Sequence, residues 1–186
     1  MGAGRLNRHD LYHDSLWMTR AEWQSMVPKK PRLGDTFTIP EFLVWRIDRH
    51  HAQIVNPATS LRISATPKPT LKLTVEGVSP EQIRLRLQGS FQVTEYQGKL
   101  TNGVIDYKVC GCLHYDLKKK AFRRFDMAAY GDVANLRKDA IGPPKGRTMA
   151  AGLLFELSPG VTPWERTPPY DSVSSGGRKV YFKVGQ

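Results

Sequence analysis

The sequence has no apolar run approaching the roughly 18 residues a membrane helix needs, so no segment of it reads as a membrane span. It has only two cysteines, two positions apart at Cys110 and Cys112. That spacing cannot staple a disulfide framework and agrees with a reducing compartment. There is no Gly-x-Ser-x-Gly elbow and no glycine-rich phosphate loop, which removes the usual sequence signs of esterases and nucleotide hydrolases. Acidic residues are scarce, with 17 Asp and Glu against 28 Lys and Arg, for a formal charge of +11. Such an excess biases encounters toward anionic partners without choosing among them. The opening residues MGAGRLNRHDLYHDSLW carry charge but no apolar stretch after it, unlike a secretory signal. As the sequence stands it reads as cytoplasmic, and an incomplete start would leave export open.

A chain of 186 residues suits one domain with a substantial core. Residues 1–33 read as an N-terminal arm. Within it Thr19 and Glu22 have the spacing of a capping box, predicting a short helix near residues 20–26 that stops at Pro28, with Trp17, Trp23 and Met26 as its anchors. A β-rich core is expected over 34–158, and a Pro/Gly/Ser-rich segment ending in a strand over 159–186. GDTFTIP reads as a short strand. EFLVWRIDRHH fits a helix opened by Pro40 somewhat better than a strand, because Leu43, Val44 and Ile47 share a helical face.

From Leu71 onward the period is two. Leu71, Leu73 and Val75, then Ile83, Leu85, Leu87, Phe91 and Val93, alternate with polar residues on either side of the GVSPEQ turn. The next pair repeats the pattern. Ile105, Tyr107, Val109, Leu113 and Tyr115 share one face, Asp106, Lys108, Cys110, Cys112 and His114 the other, and Phe125, Met127 and Ala129 return on the apolar side after DLKKK. Phe122 breaks the period and marks a bulge. MAAGLLFEL and RKVYFKVG supply two further strands. The fold class is therefore mainly β: an antiparallel meander curled into a barrel or half-barrel, with one or two short helices near the N-terminus. Gly89, Gly111 and Gly131 permit the bending that a curled sheet needs.

The elements YDLKKKAFRRFDMAAYGD and GLLFELSPGVTPWERTPP resemble an uncharacterised bacterial β-rich family that carries a Tyr-Asp, a basic turn, an Ala-Phe-x-Arg-Phe-Asp hairpin and a Pro-x-x-Arg-x-Pro-Pro element. The resemblance covers about the second half of the chain, with a fainter echo at WMTRAEW. It implies no activity. Its members look like exported proteins, and where they have Leu-Gly-x-Leu this sequence has Cys110-Gly111-Cys112-Leu113.

Three groups of residues carry chemistry. Cys110, Cys112 and His114 lie on one side of a strand as a candidate soft-metal site, but neighbours about 6 to 7 Å apart leave an ion short of ligands. No cofactor is expected. Lys72, Arg84, Arg86 and Lys108 on adjacent polar faces, with Lys118, Lys119 and Lys120 at a turn, form a candidate stripe for anions. Asp126 and Asp132 are candidate acid–base groups, with pairing of the local aspartates to Arg123 or Arg124 as the plainer role. His9 and His13 are four positions apart in the arm, and His50 and His51 are expected to face different ways.

The reading these features support is a non-enzymatic β-rich binding module, its concave sheet taking an apolar or amphipathic ligand or a partner chain. The alternatives are a metal-dependent or acid–base hydrolase, and a basic sheet face that binds an anionic polymer. The partner and the oligomeric state are left open.

Overall fold

The computed structural model describes residues 14–52, 70–97, 100–134, 149–169, 172 and 181–182. His9, His13, the NPATS connector and most of TPKPT lie outside the described residues. Six strands follow one another in a single open sheet in the order of the chain: β1 (Thr36–Thr38), β2 (Lys72–Val78), β3 (Gln82–Gln97), β4 (Leu100–Asp116), β5 (Ala121–Ala134) and β6 (Met149–Phe155). Every neighbouring pair is antiparallel. Among the described residues β1 and β6 are the edges and do not pair with each other, so the sheet is open, as in a half-barrel, and not a closed barrel. The α-helices α1 (Arg20–Ser25) and α2 (Glu41–His50) accompany it, and a 3-10 turn follows the sheet at Trp164–Arg166. No helix among the described residues is long and apolar enough to cross a membrane.

The two-residue period sets which side chains become core. One row crosses the sheet through Leu73, Leu87, Gly111, Met127 and Phe155, and the next through Val75, Leu85, Leu113 and Phe125. Phe91, Val93, Ile105, Tyr107 and Val109 extend the same buried face, while Leu153 near the edge is half-buried. Gly111 sits where the rows pinch: a Cβ there would lie 2.5 Å from the Asp126 carbonyl oxygen and press on Leu87. Gly89 has a positive φ of 149°, and a side chain there would run into the Thr70 backbone. The bulge falls where Phe122 breaks the pattern. His114 faces Arg124 and Tyr115 faces Phe122, so Arg123 is the extra residue and Phe122 returns to the core side.

The arm and α2 cover this face. Thr19 Oγ1 accepts the Glu22 N–H at 3.3 Å while Glu22 Oε2 accepts the Thr19 N–H at 2.7 Å, completing the expected capping box. Trp23 then packs against Tyr115 and Phe122, with ring centroids 6.2 and 6.0 Å away, and Met26 is buried. Trp23 and Met26 thus anchor the arm through their side chains, whereas Trp17 is 39% exposed and holds through its backbone N–H. α2 presents Leu43, Val44 and Ile47 to the sheet.

On the same side of α2, Arg46 is 0% exposed, and each of its three guanidinium nitrogens donates a hydrogen bond. Its two terminal nitrogens donate to Glu22 Oε2 at 2.9 Å and Oε1 at 2.6 Å, and further bonds reach the carbonyls of Trp17 at 3.2 Å and Tyr181 at 3.0 Å. One guanidinium thus ties α1, α2, the arm and the C-terminal segment together. Tyr181 and Phe182 have helical backbone, so the strand expected over RKVYFKVG does not include them. Their rings lie 5.1 and 5.2 Å from the guanidinium carbon, which rewards a conformation that alternation alone does not foresee.

Candidate functional site

The concave face, where a ligand was expected, is covered by the protein itself. Leu71, Leu73, Val75, Leu85, Leu87, Tyr107 and Leu113 are all buried, along with α2 residues that face them. Two polar groups are caught inside. Among the described residues the buried Tyr107 hydroxyl has no hydrogen-bond partner. Burial pushes the Asp48 carboxyl up to about 7, and burial first, then the nearby Asp48 charge, raises the Tyr107 phenol. Sequence reading singled out neither as polar strain, because their proximity depends on how α2 packs on the sheet.

The outer face holds the remaining candidates. Antiparallel register sets Arg84, His114 and Arg124 in one row across β3, β4 and β5, with Arg86, Cys112 and Asp126 in the next. A third row runs from Lys72 through Gln88, Cys110 and Ala128 to Leu154, and a fourth contains Lys108 and Tyr130. The basic turn Lys118–Lys119–Lys120 projects from the end of the sheet beside Arg84 and Arg124. Asp116 shapes that turn by accepting the Lys119 N–H at 2.8 Å. This bond, first among several, holds its carboxyl below the usual range. The predicted stripe is therefore split: Arg84, Arg86 and the lysine turn gather at one end, joined by Arg123 and Arg124, while Lys72 and Lys108 lie further along.

Local contacts organise the arginine end. Gly77 faces Arg84, and its missing side chain leaves room for the Arg84 guanidinium to lie over the neighbouring strand; a Cβ there would be 2.8 Å from Nε. Arg86 Nε lies 3.2 Å from Glu76 Oε1, Arg123 Nε 4.0 Å from Asp116 Oδ2, and Arg124 Nε bonds Asp126 Oδ2. The guanidiniums of these pairs are exposed and the pairs weak in water, so they orient the arginines without neutralising them against a competing carboxylate.

The metal and acid–base groupings look different in three dimensions. Cys112 Sγ and His114 Nε2 are 3.3 Å apart, while Cys110 lies one row away beside Ala128 and Gln88. Among the described residues no three His, Cys, Asp or Glu side chains come close enough to hold a metal ion. Asp126 is engaged with Arg124, and Asp132 lies six positions further along β5, about 20 Å away by strand rise. Asp126, Asp132 and His114 thus do not converge on one point. His50 and His51 both pack on the Tyr181 ring, with centroids 4.9 and 6.0 Å away. His51 Nε2 lies 3.0 Å from the Tyr181 hydroxyl and Nδ1 3.4 Å from Asp14 Oδ2, a chain that fastens the arm to the C-terminal segment.

An apolar strip completes the outer face. Leu154 on edge strand β6 is 88% exposed and Tyr130 on β5 is 55% exposed, with Ala128 between them and the cysteines. Leu154 stands opposite Ala128, four positions or about 14 Å along β5 from Arg124. No family model, curated protein or solved structure matches the chain.

Proposed function

We propose that the protein is a non-enzymatic binding module that holds an acidic partner chain on the outer face of its sheet. The observation that carries this reading is the placement of Arg84, Arg86 and Arg124 on the same surface as Leu154 and Tyr130, while the opposite face is occupied by the protein's own helices. Guanidiniums give paired bonds to carboxylates, and an exposed Leu and Tyr supply the apolar contact that charge alone lacks. Arg and Tyr are also the residues that most often dominate protein interfaces. A polypeptide suits this surface better than a nucleic acid. Among the described side chains of the outer face Tyr130 is the one phenolic or phenyl ring, with the His114 imidazole three rows away, where a base-stacking sheet presents several neighbouring rings.

The test uses fluorescence anisotropy with two labelled probes, a short peptide alternating Glu with Leu and an oligothymidylate of matching charge. The peptide is expected to bind saturably, and both Leu154→Ser and the pair Arg84→Glu with Arg124→Glu should weaken it about tenfold or more. Tighter binding of the oligothymidylate, indifferent to Leu154→Ser, would replace the acidic chain with nucleic acid as the partner. No saturable binding of either probe would remove the reading altogether.

A further inference from the structure

We infer that Cys112, paired with His114 and set between arginines, is a reactive thiol that exchanges with small-molecule disulfides carrying carboxylates. The placement is unusual for a strand cysteine. Cys112 is half-buried, its Sγ is 3.3 Å from His114 Nε2, and its cross-strand neighbours are Arg86 and Asp126. His114 in turn has Arg84 on one side and Arg124 on the other. Arg84, Arg86 and Arg124 thus stand on the strands flanking a thiol within hydrogen-bond reach of an imidazole, Arg124 close enough to feel its charge, while the Arg84 and Arg86 guanidiniums lean toward Gly77 and Glu76 of β2.

The imidazole is suited to that role. Burial, then the charges of Arg124, Arg84 and Arg123, hold His114 below its ordinary value, with Asp126 pulling the other way. The ring is accordingly neutral near pH 7 and able to take a proton. In the exchange, His114 Nε2 receives the Cys112 proton as the sulfur attacks one sulfur of the disulfide. A protein–ligand S–S bond forms, the original S–S bond breaks, and the leaving thiolate regains the proton from His114. The disulfide is the oxidant, and one equivalent of small thiol is released. The arginines favour a carboxylate-bearing disulfide over a neutral or cationic one, because the anion is drawn to the sulfur before reaction.

The exposed neighbour Cys110 makes the inference specific. It is the more accessible of the two thiols, yet it lies beside Gln88 and Ala128, with no imidazole partner among the described residues. It also sits poorly for resolving a mixed disulfide at Cys112. Positions two apart on a strand are about 6 to 7 Å apart with parallel side chains, at or beyond the reach of an unstrained disulfide. The mixed disulfide should therefore persist and add its mass to the chain.

The test needs no binding partner. The Cys110→Ser and Cys112→Ser variants are reacted with 5,5′-dithiobis(2-nitrobenzoate), an anionic disulfide, and with cystamine, a cationic one. Intact mass confirms single addition, and free cysteine serves as the reference. The protein retaining only Cys112 is expected to react with the anionic reagent about tenfold faster than the protein retaining only Cys110, despite its lower exposure. Its anionic-to-cationic rate ratio should exceed that of free cysteine by a similar factor. Arg84→Gln with Arg124→Gln, on the exposed face, should return this ratio toward that of free cysteine, whereas His114→Gln should slow both reagents and preserve the ratio. Faster reaction at Cys110, or a rate ratio at Cys112 equal to that of free cysteine, would overturn the inference even if an acidic chain binds the same face.

Discussion

Glu22 caps its own helix through Thr19 and, with the same carboxylate, grips the buried guanidinium of Arg46 twenty-four positions away. The arm is thereby joined to α2 by a charge that has no water to return to. Removing one partner strands the other, which costs far more than the pair itself contributes. Arg46→Met should lower unfolding free energy by about 3 to 5 kcal/mol in denaturant titration. Adding Glu22→Gln to that variant should recover part of the loss, and a single Arg46→Met within 1 kcal/mol of the parent would contradict the assignment. Burial works to raise the Glu22 carboxyl, but the Arg46 and Thr19 bonds and the Arg46 charge hold it below its ordinary value near 4.5. This contribution is present above pH 4.5 and is lost as pH falls through the lower folded value.

Asp48 produces the opposite slope. Its carboxyl titrates at about 7 when folded, against an ordinary value of 3.8, because burial penalises its charge. The folded state then holds a proton that the unfolded chain has released, so stability falls as pH rises from about 4 to about 7. Asp48→Asn should remove that slope and raise stability at pH 8, by up to about 4 kcal/mol for a shift of this size. Melting curves across this pH window read both effects. An unchanged slope in the variant would show that Asp48 ionises freely in the fold.

Tyr181 holds the C-terminal segment with two separable parts. Its hydroxyl accepts the Trp17 N–H at 3.1 Å and meets His51, while its ring lies under the Arg46 guanidinium. Tyr181→Phe keeps the ring and should cost about 1 to 3 kcal/mol for the partners left unbonded. Tyr181→Ala loses both parts and should cost about 3 to 5 kcal/mol. Equal losses from the two substitutions, measured by denaturant unfolding, would mean that the ring contributes nothing.

What the sequence reveals and what it conceals divide along the distance over which each signal acts. Alternation at Leu71–Val75 and Ile105–Tyr115 is a local period, and it identifies the core face correctly. Phe122 discloses the bulge by breaking the same period, and Thr19 with Glu22 discloses a helix start within four residues. Arg46 carries no such mark. In EFLVWRIDRHH a basic residue next to Ile47 reads as solvated, and its partner Tyr181 is 135 positions away. Its place on the same helical face as Leu43 and Ile47 was the available signal. RKVYFKVG alternates like a strand, yet contacts with Arg46 accompany helical backbone at Tyr181 and Phe182. On the outer face, the shared side of Cys112 and His114 follows from strand geometry. The flanking Arg84 and Arg124 depend on turn length and on the Arg123 bulge, which fix register only in the folded sheet.

Leu113 and Leu154 are the same residue on opposite faces, and they test the register directly. Leu113 is 0% exposed, between Leu85 and Phe125, while Leu154 is 88% exposed on the outer face beside Ala128. Truncation of a packed leucine loses both its transfer energy and the contacts around the cavity, so Leu113→Ala should cost about 2 to 5 kcal/mol. Leu154→Ala removes a side chain that water already surrounds, and should stay within about 0.5 kcal/mol of the parent. A slip of one residue between β4 and its neighbours would move Leu113 to the surface and take Cys112 into the core. Comparable melting temperatures for Leu113→Ala and the parent would therefore reject the core assignment and the placement of Cys112, His114 and the arginines together.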